Sequence, residues 1–422
     1  MVQIIKYKVE GVNIMVRFVH ISDIHLGQNE PFIKEHLIHS FDKAIDYILN
    51  NNIDFVIFAG DIFDSPSPTS ETKIYFAKKL LLLKKNNIRV YYVNGSHDGT
   101  PAVPGDLPLF ETFGVMKSVY RASYSDNDKI LLNPVIDNET GIKLYGINGE
   151  PNGNDIEKYK RLESNRLDER SIFVFHNGIG ELNDKYDNCI DSSLFPSGAI
   201  YYAGGHIHIT KNIELNGKHF YFPGPLFIGF GSQDLENYLN GNGGGFYSVE
   251  IQNGTVNAEY TSIREIDGIT IHIDANNLTS EEVISKIKEI TPKENDVILI
   301  KIDGALSNGK LSDISSSKDH LSELLMDKGA KKVFFNIRNL TTKESEVIRI
   351  KGDTPDEIEM NILNENKEIL EQPWIPEKLY SSKNFRKILN ALATEKEDSE
   401  SNESYENRIF KEFLEQTGED LK

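Results

Sequence analysis

Cysteine is all but missing: the 422 residues contain one, Cys189. A lone thiol excludes an internal disulfide and any cysteine-built metal cage, so metal ligands have to be His, Asp, Glu or Asn, and the chain suits a reducing compartment. Long apolar runs are missing too. No stretch approaches the roughly 18 residues that span a bilayer, and residues 1–11 carry Lys6, Lys8 and Glu10 without the apolar centre of a leader. We expect a cytoplasmic, unprocessed protein without a membrane partner. Positive charge is in deficit, with 46 Lys and Arg against 65 Asp and Glu and a formal net charge of −19. That argues against a protein that coats nucleic acid through a basic face. It does not exclude an enzyme acting on nucleic acid, because bound divalent cations supply positive charge where a phosphate must sit.

What is present reads as a folded, soluble chain: 39% hydrophobic and 26% charged residues lie in the globular range, and the length suits two or three domains. Met15 is a second plausible start, so residues 1–14 are taken as an N-terminal extension. Residues 16–22 read as a strand that delivers Asp23 at its end. A βαβαβ rhythm follows: a helix near 33–50, the apolar run 55–58, a helix near 71–86, and a strand at 89–93. Further strands are expected at 143–147, 171–175, 199–203, 219–222 and 245–251, with few helices between them. The fold class is therefore α/β, with helices layered on central mixed sheet.

The helix near 71–86 contains Leu80, Leu81, Leu82 and Leu83 in a row, more apolar circumference than one buried stripe needs. One face can pack on its own sheet. The other is either buried within the domain or a homodimer surface shared with Leu107, Leu109, Phe110 and Phe113. A change of style marks 265–350, where strands at 269–273 and 297–302 flank a helix at 280–290, giving a small α+β domain after a first domain of 15–264. Residues 351–394 form a connector with an amphipathic helix at 385–392. An acidic low-complexity linker at 395–404 leads to a C-terminal helix at 405–422. Such a short helix needs a surface to dock on; the flexible linker favours a partner protein over the chain's own body.

Five groups of metal-type ligands stand at strand-to-loop transitions: Asp23 and His25; Gly60 and Asp61; Ser96, His97 and Asp98; His176 and Asn177; His206 and His208. Each alone is a weak signal, but in open α/β sheets ligands gather where strands end. Imidazole and carboxylate without thiolate suit manganese, iron or zinc. Two such ions can share a carboxylate and clamp the attacking and leaving oxygens of a displacement at phosphorus. A shared ligand has to be a carboxylate, because an imidazole nitrogen offers one lone pair, and Asp61 is the natural bridge.

The series D-I-H-L-G, G-D-I-F-D, G-S-H-D, F-H-N-G and G-H-I-H, followed by F-P-G-P, resembles the calcineurin-like metallophosphoesterases and, within them, the Mre-eleven/SbcD nucleases. The resemblance implies calcineurin-like metallophosphoesterase layers, a capping domain at 265–350 and a C-terminal helical tail that binds the coiled-coil base of a Rad-fifty-like ABC ATPase. It implies that Asp23, His25, Asp61 and His208 hold one metal, and that Asp61, Ser96, His176 and His206 hold the other. His97 then does not ligate, but stabilises the transition state or protonates the leaving oxygen, work suited to an imidazole; a hydroxide bridging the metals is the nucleophile.

Two departures stand out. Ser96 replaces the asparagine usual in G-N-H-D, a shorter and weaker ligand, and Asp64 occupies the position where many relatives carry a second histidine. The remaining histidines, His20, His36, His39, His219, His272 and His320, are expected to be structural or surface residues. The expectation is a manganese-dependent DNA exonuclease and single-strand endonuclease of double-strand-break repair, with two manganese ions per chain. Two rivals remain: a calcineurin-like phosphatase on other phosphoesters, and a weakly active scaffold for the ATPase.

Overall fold

The computed structural model describes residues 15–342 except 100–104, 126, 151–154, 164–166, 169, 183–188 and 230, and beyond them Tyr405, Arg408, Ile409 and Lys411. The expected extension at 1–14, the connector at 351–394 and the acidic linker at 395–404 lie outside the described residues. So does most of the C-terminal helix, although its four described residues are helical, with the Arg408 guanidinium 5.5 Å from the Tyr405 ring centre.

The chain begins with β1 (Val16–Ile21), α1 (Pro31–Asn50), β2 (Phe55–Ala59), α2 (Ser70–Lys85), β3 (Arg89–Val93) and α3 (Leu107–Thr112). Short strands follow as β4 (Lys117–Ser118), β5 (Ala122–Tyr124), β6 (Ile130–Leu132) and β7 (Val135–Ile136). Next come β8 (Lys143–Ile147), α4 (Asp155–Arg161), β9 (Ser171–His176), β10 (Tyr201–Gly205), β11 (Lys211–Leu215) and β12 (Lys218–Phe222). After α5 (Gly231–Leu239), β13 (Gly245–Gln252) and β14 (Thr255–Ser262) stand β15 (Gly268–Asp274), α6 (Ser280–Lys288), β16 (Val297–Leu306), α7 (Leu311–Asp327), β17 (Lys332–Asn336) and β18 (Leu340–Thr342).

Two six-stranded mixed sheets form the heart of the molecule, in the orders β14-β13-β1-β2-β3-β4 and β11-β12-β10-β9-β8-β7. Strands β1 to β4 run parallel, as do β8, β9, β10 and β12, while antiparallel strands stand at the β13–β14 edge of the first sheet and at both edges of the second. Because both faces of each sheet are covered, the central strands are apolar throughout rather than alternating. Phe18, Phe55 and Ile57 point into the layer between the sheets with Val174, Tyr201 and Ala203. Val19, Val56 and Phe58 point the other way, under Phe41, Ile45, Phe76 and Leu83 of α1 and α2. A third cluster covers the outer face of the second sheet, where Tyr159 of α4 and Phe195 meet Phe173 and Phe175.

Two helix starts are capped as their sequences suggest. Glu30 accepts from the N–H of Ile33 with Pro31 at the first turn of α1, and Thr69 accepts from Thr72 at the start of α2. The four leucines of α2 divide: Leu80 and Leu83 are buried, Leu81 and Leu82 exposed. Of the residues grouped with them, Leu107 and Phe110 enter the domain's own core, while Leu109 and Phe113 stay at the surface.

Beyond β14 the strand order is β15-β16-β17, with β18 beside β16. Two compact units emerge: the described residues to Ile273 together with Lys286–Ile302 and Ser317–Arg338, and a second that includes Asp274–Ser285 and Asp303–Ser316. Within the second, Ser280 donates to Asp313 at 3.0 Å and the N–H of Ala305 donates to Asn276 at 2.9 Å. Helix α7 is not anticipated by the serine-rich segment that forms it; Ile314, Leu321 and Leu325 supply its buried stripe.

Candidate metal centre

Every expected ligand sits at the C-terminal end of a parallel strand. Asp23 and His25 follow β1, Asp61 follows β2, Ser96 and His97 follow β3, His176 closes β9, and His206 and His208 follow β10. The loops after β1 and β2 run side by side, joined by backbone bonds from Asp23 to Gly60, His25 to Asp61 and Leu26 to Ile62 at 2.9–3.1 Å. Asp23, His25, Asp61 and His206 hold φ between 49° and 82°. This region is uncommon for residues with a side chain and costs of order 1 kcal/mol each; four instances among the expected ligands place the strain where the chemistry would be. Gly60 has φ +84°, and a Cβ there would stand against His176 Nδ1, so the backbone just after β2 comes close to that ring only because the position is glycine.

The carboxylate of Asp61 stands between the two sheets' contributions. Its Oδ1 accepts the backbone N–H of His97 at 2.7 Å. Its Oδ2 lies 3.0 Å from His176 Nε2, 3.8 Å from His25 Nε2 and 3.3 Å from the Ser96 hydroxyl. Asp23 is a second such centre: Oδ1 accepts from the N–H of His206 at 2.9 Å and lies 3.5 Å from His208 Nε2 and 3.9 Å from His176 Nε2, while Oδ2 accepts from Ser22 at 2.5 Å. Three sets bring one ligand atom from each member within 4.8 Å of the others: Asp23, His25 and His208; His25, Asp61 and His97; Asp23, Asp61 and His176. His206 lies outside those sets, with its ring centre 5.3 Å from that of His176.

These residues fit divalent cations. His25 Nε2 and His208 Nε2 approach to 3.4 Å, where two neutral imidazoles would oppose lone pairs unless a proton or a cation lies between them. His176 Nε2 is buried without a well-directed hydrogen-bond partner. Burial opposes charge on His176, but Asp61 and Asp23 outweigh it and push the imidazole up to about 9. His208 is likewise raised, against burial, by Asp23 and Asp234. Burial would raise Asp23 and Asp61, yet the facing histidines hold both carboxyls below the usual range. Buried carboxylates that draw protons onto their neighbours are a demand for positive charge, which metal ions meet by displacing those protons.

Three second ring nitrogens are held from behind, as those of metal ligands usually are. His176 Nδ1 meets the carbonyl of Ala59 at 2.8 Å, His97 Nδ1 meets the carbonyl of Asp64 at 2.9 Å, and His208 Nδ1 meets Asp234 Oδ2 at 2.6 Å. Asp98 braces the whole arrangement: its carboxylate accepts from the N–H groups of Ile62, Phe63 and Gly95 at 2.9–3.2 Å, tying the loop after β2 to the loop after β3. Burial and the neighbouring Asp61 push its carboxyl up to about 6. Neither Asp98 nor Asp234 was given a role by the motifs. Asp98 lies inside one and could have been found there; Asp234 lies 26 residues from His208 and carries no local signal.

Asp64, in place of a second histidine, accepts from Gln28 at 2.6 Å. Of the six other histidines, His20 is fully buried, shares a 3.0 Å hydrogen bond with Tyr201 and is kept neutral by burial, its imidazole lowered to about 3 despite Asp23. His39, His219 and His272 lie 2.9, 3.3 and 3.1 Å from the carboxylates of Glu265, Glu214 and Glu236. His36 Nδ1 meets the carbonyl of Phe32 at 2.8 Å, and His320 is exposed.

A family model described as calcineurin-like phosphoesterase matches residues 16–210. The "DNA double-strand break repair protein Mre11" of Archaeoglobus fulgidus is 29% identical over 229 residues, 50% of this chain and 50% of that protein. Its namesake in Methanococcus maripaludis is 29% identical over 262 residues, 60% of this chain and 67% of that protein. The one in Sulfolobus acidocaldarius is 26% identical over 308 residues, 69% of this chain and 76% of that protein. The chain spans half of the first of these relatives and about two thirds to three quarters of the others.

Proposed function

We propose, from the match of residues 16–210 to a family model described as calcineurin-like phosphoesterase, that this chain is a two-metal DNA nuclease of double-strand-break repair. The observation that carries the reading is the placing of Asp61, whose carboxylate from β2 meets His25 and His176 from two different strands. In this reading Asp23, His25, Asp61 and His208 hold the first metal, and Asp61, Ser96, His176 and His206 the second. Manganese suits this nitrogen and oxygen set. Bound ions of this kind would neutralise phosphate charge and lower the pKa of water so that hydroxide, the nucleophile, forms at neutral pH. The chain's own residues do the rest: Asp61 aligns the two halves of the site, Asp98 fixes the loop that carries His97, and His97 protonates the leaving oxygen. Local cation charge also answers the net charge of −19, which would otherwise repel DNA.

Similarity to proteins of double-strand-break repair supports the DNA substrate, and we extend the reading to exonuclease action on duplex ends, endonuclease action on single strands, residues 265–350 as a capping domain, and residues 405–422 as the docking helix for a Rad-fifty-like ATPase. Exposed Ile74, Leu81, Leu109 and Phe113 on α2 and around α3 support a homodimer. One observation favours a second reading, a weakly active scaffold: at the second metal this chain offers the Ser96 hydroxyl.

Incubating the purified chain with labelled duplex and single-stranded DNA and with a chromogenic phosphoester, in manganese and in magnesium, separates the readings. The nuclease reading expects manganese-dependent loss of DNA. Hydrolysis of the small ester with intact DNA would point to a phosphatase, and no hydrolysis at all to the scaffold.

A further inference from the structure

Helix α5 belongs to none of the ligand motifs, yet it grips one ligand from several sides. Asp234 Oδ2 lies 2.6 Å from His208 Nδ1, and the side-chain amide of Asn237 donates to the His208 carbonyl at 3.3 Å. Just before the helix, Gly229 packs so closely on the site that a Cβ there would stand 2.9 Å from His25 Cδ2 and 3.1 Å from His208 Cε1. The carbonyl of Gly229 is held by Gln28 at 2.6 Å.

The same helix is tied on its other side. Positions i and i+4 share a helix face, and position i+2 lies about 200° round from i. Ser232 and Glu236 are such a pair, and both reach the strands beyond β14: Ser232 accepts from Asn336 of β17 at 2.7 Å, while Glu236 meets Lys301 of β16 at 2.7 Å and His272 of β15 at 3.1 Å. Asp234 stands between them in sequence and opposite them on the helix. Leu235 and Tyr238, both buried, anchor α5 in the core.

We propose that Asp234 is a positioning residue that directs His208 Nε2 toward the first metal, and that β15–β17, by holding the opposite face of α5, make their own docking part of that site's geometry. The inference rests on the two-metal reading above. Asp234 has the chemistry for the task. An acceptor on Nδ1 keeps the proton there and leaves the Nε2 lone pair for a cation, and it prevents rotation of the ring. The ties of Ser232 and Glu236 carry the consequence further: whatever shifts β16 or β17 shifts the helix that holds Asp234.

The test is manganese binding by calorimetry on the full chain, with Asp234→Asn, Lys301→Met and His208→Ala. Asp234→Asn should weaken the first ion by about 10–100-fold, the usual effect of losing such a support, and leave the second ion unchanged. Lys301→Met, remote from the ligands, should weaken the same ion by about threefold, as expected from loss of a part-buried ion pair. Wild-type affinity in Asp234→Asn overturns the role of Asp234, and wild-type affinity in Lys301→Met overturns the part given to the strands. If His208→Ala itself binds manganese as the wild type does, it is the two-metal reading that fails. Should Asp234→Asn not fold, the nitrogen spectrum of His208 in the zinc-loaded wild type still decides: a proton on Nδ1 is required, and a proton on Nε2 refutes the proposal.

Discussion

The backbone N–H of His97 holds Asp61 Oδ1 while its Nδ1 is engaged by the carbonyl of Asp64. Substitution of the side chain keeps the first bond and removes only the imidazole. His97→Gln is therefore expected to bind metal and DNA as the wild type does and to lose about 10²–10⁴-fold in cleavage rate, the usual contribution of a general acid. Rate and manganese affinity measured on the same preparation check this, and a parallel loss of metal would make His97 a ligand instead. Beside it, the Ser96 hydroxyl lies 3.3 Å from Asp61 Oδ2. An asparagine carbonyl is the better partner for manganese, so Ser96→Asn should shift the manganese activation curve to lower concentration by about tenfold. Titrations of rate and binding on both proteins test it; two equal, tight ions in the wild type would end the idea of a weak second site.

Among the elements, α2 and α3 show how apolar surface is divided. The rings of Phe76 and Phe110 meet at 5.3 Å inside the domain, whereas Leu81 is 55% and Phe113 64% exposed. Large apolar side chains left at the surface of two neighbouring helices suit a second copy of the chain. Leu81→Glu with Phe113→Glu should convert a dimer to a monomer in sedimentation while the circular dichroism of the fold is kept, because neither side chain supports its own core. The two sheets are joined by a different device. Asp137, just after β7, accepts from Arg89 Nε and Nη2 at 2.9 and 2.8 Å, from the Tyr91 hydroxyl at 2.7 Å and from Thr140. Burial alone would raise this carboxyl, but those donors outweigh it and hold it at about 2 against an ordinary 3.8. A depressed folded-state pKa adds stability above the unfolded value and loses it as pH falls, so about 2 kcal/mol should disappear between about pH 4 and pH 2. Asp137→Asn should be less stable than the wild type by a similar amount at neutral pH. Urea midpoints against pH should show the two converging near pH 2.

For the whole molecule the decisive test concerns residues 395–422, acidic at first and then bearing Tyr405, Ile409, Phe413 and Leu414 at helical spacing. Deleting them should leave cleavage of simple substrates intact and abolish co-purification with the coiled-coil ATPase. Undiminished binding would move the interface to the helix expected at 385–392, or remove the partner from the account.

The strands were legible because a sheet covered on both faces has apolar residues at every central position, and that leaves a mark in any short window. Their ends were legible for the same reason: each ligand group follows such a run, so five weak groups add to one site at the strands' C-terminal edge. Helix α7 was hidden, since its buried Ile314, Leu321 and Leu325 are spread among serines and charges that read as loop. Tertiary structure alone decided which leucines of α2 face inward, because all four have the same propensity and only the neighbouring surface distinguishes them. It also decided the supports of the site. Asp234 meets His208 across a long connection, and the partner of His176 Nδ1 is a backbone carbonyl, that of Ala59. A carbonyl is common to every residue and an isolated aspartate to every surface, so neither becomes a functional group until the fold places it against a ring nitrogen.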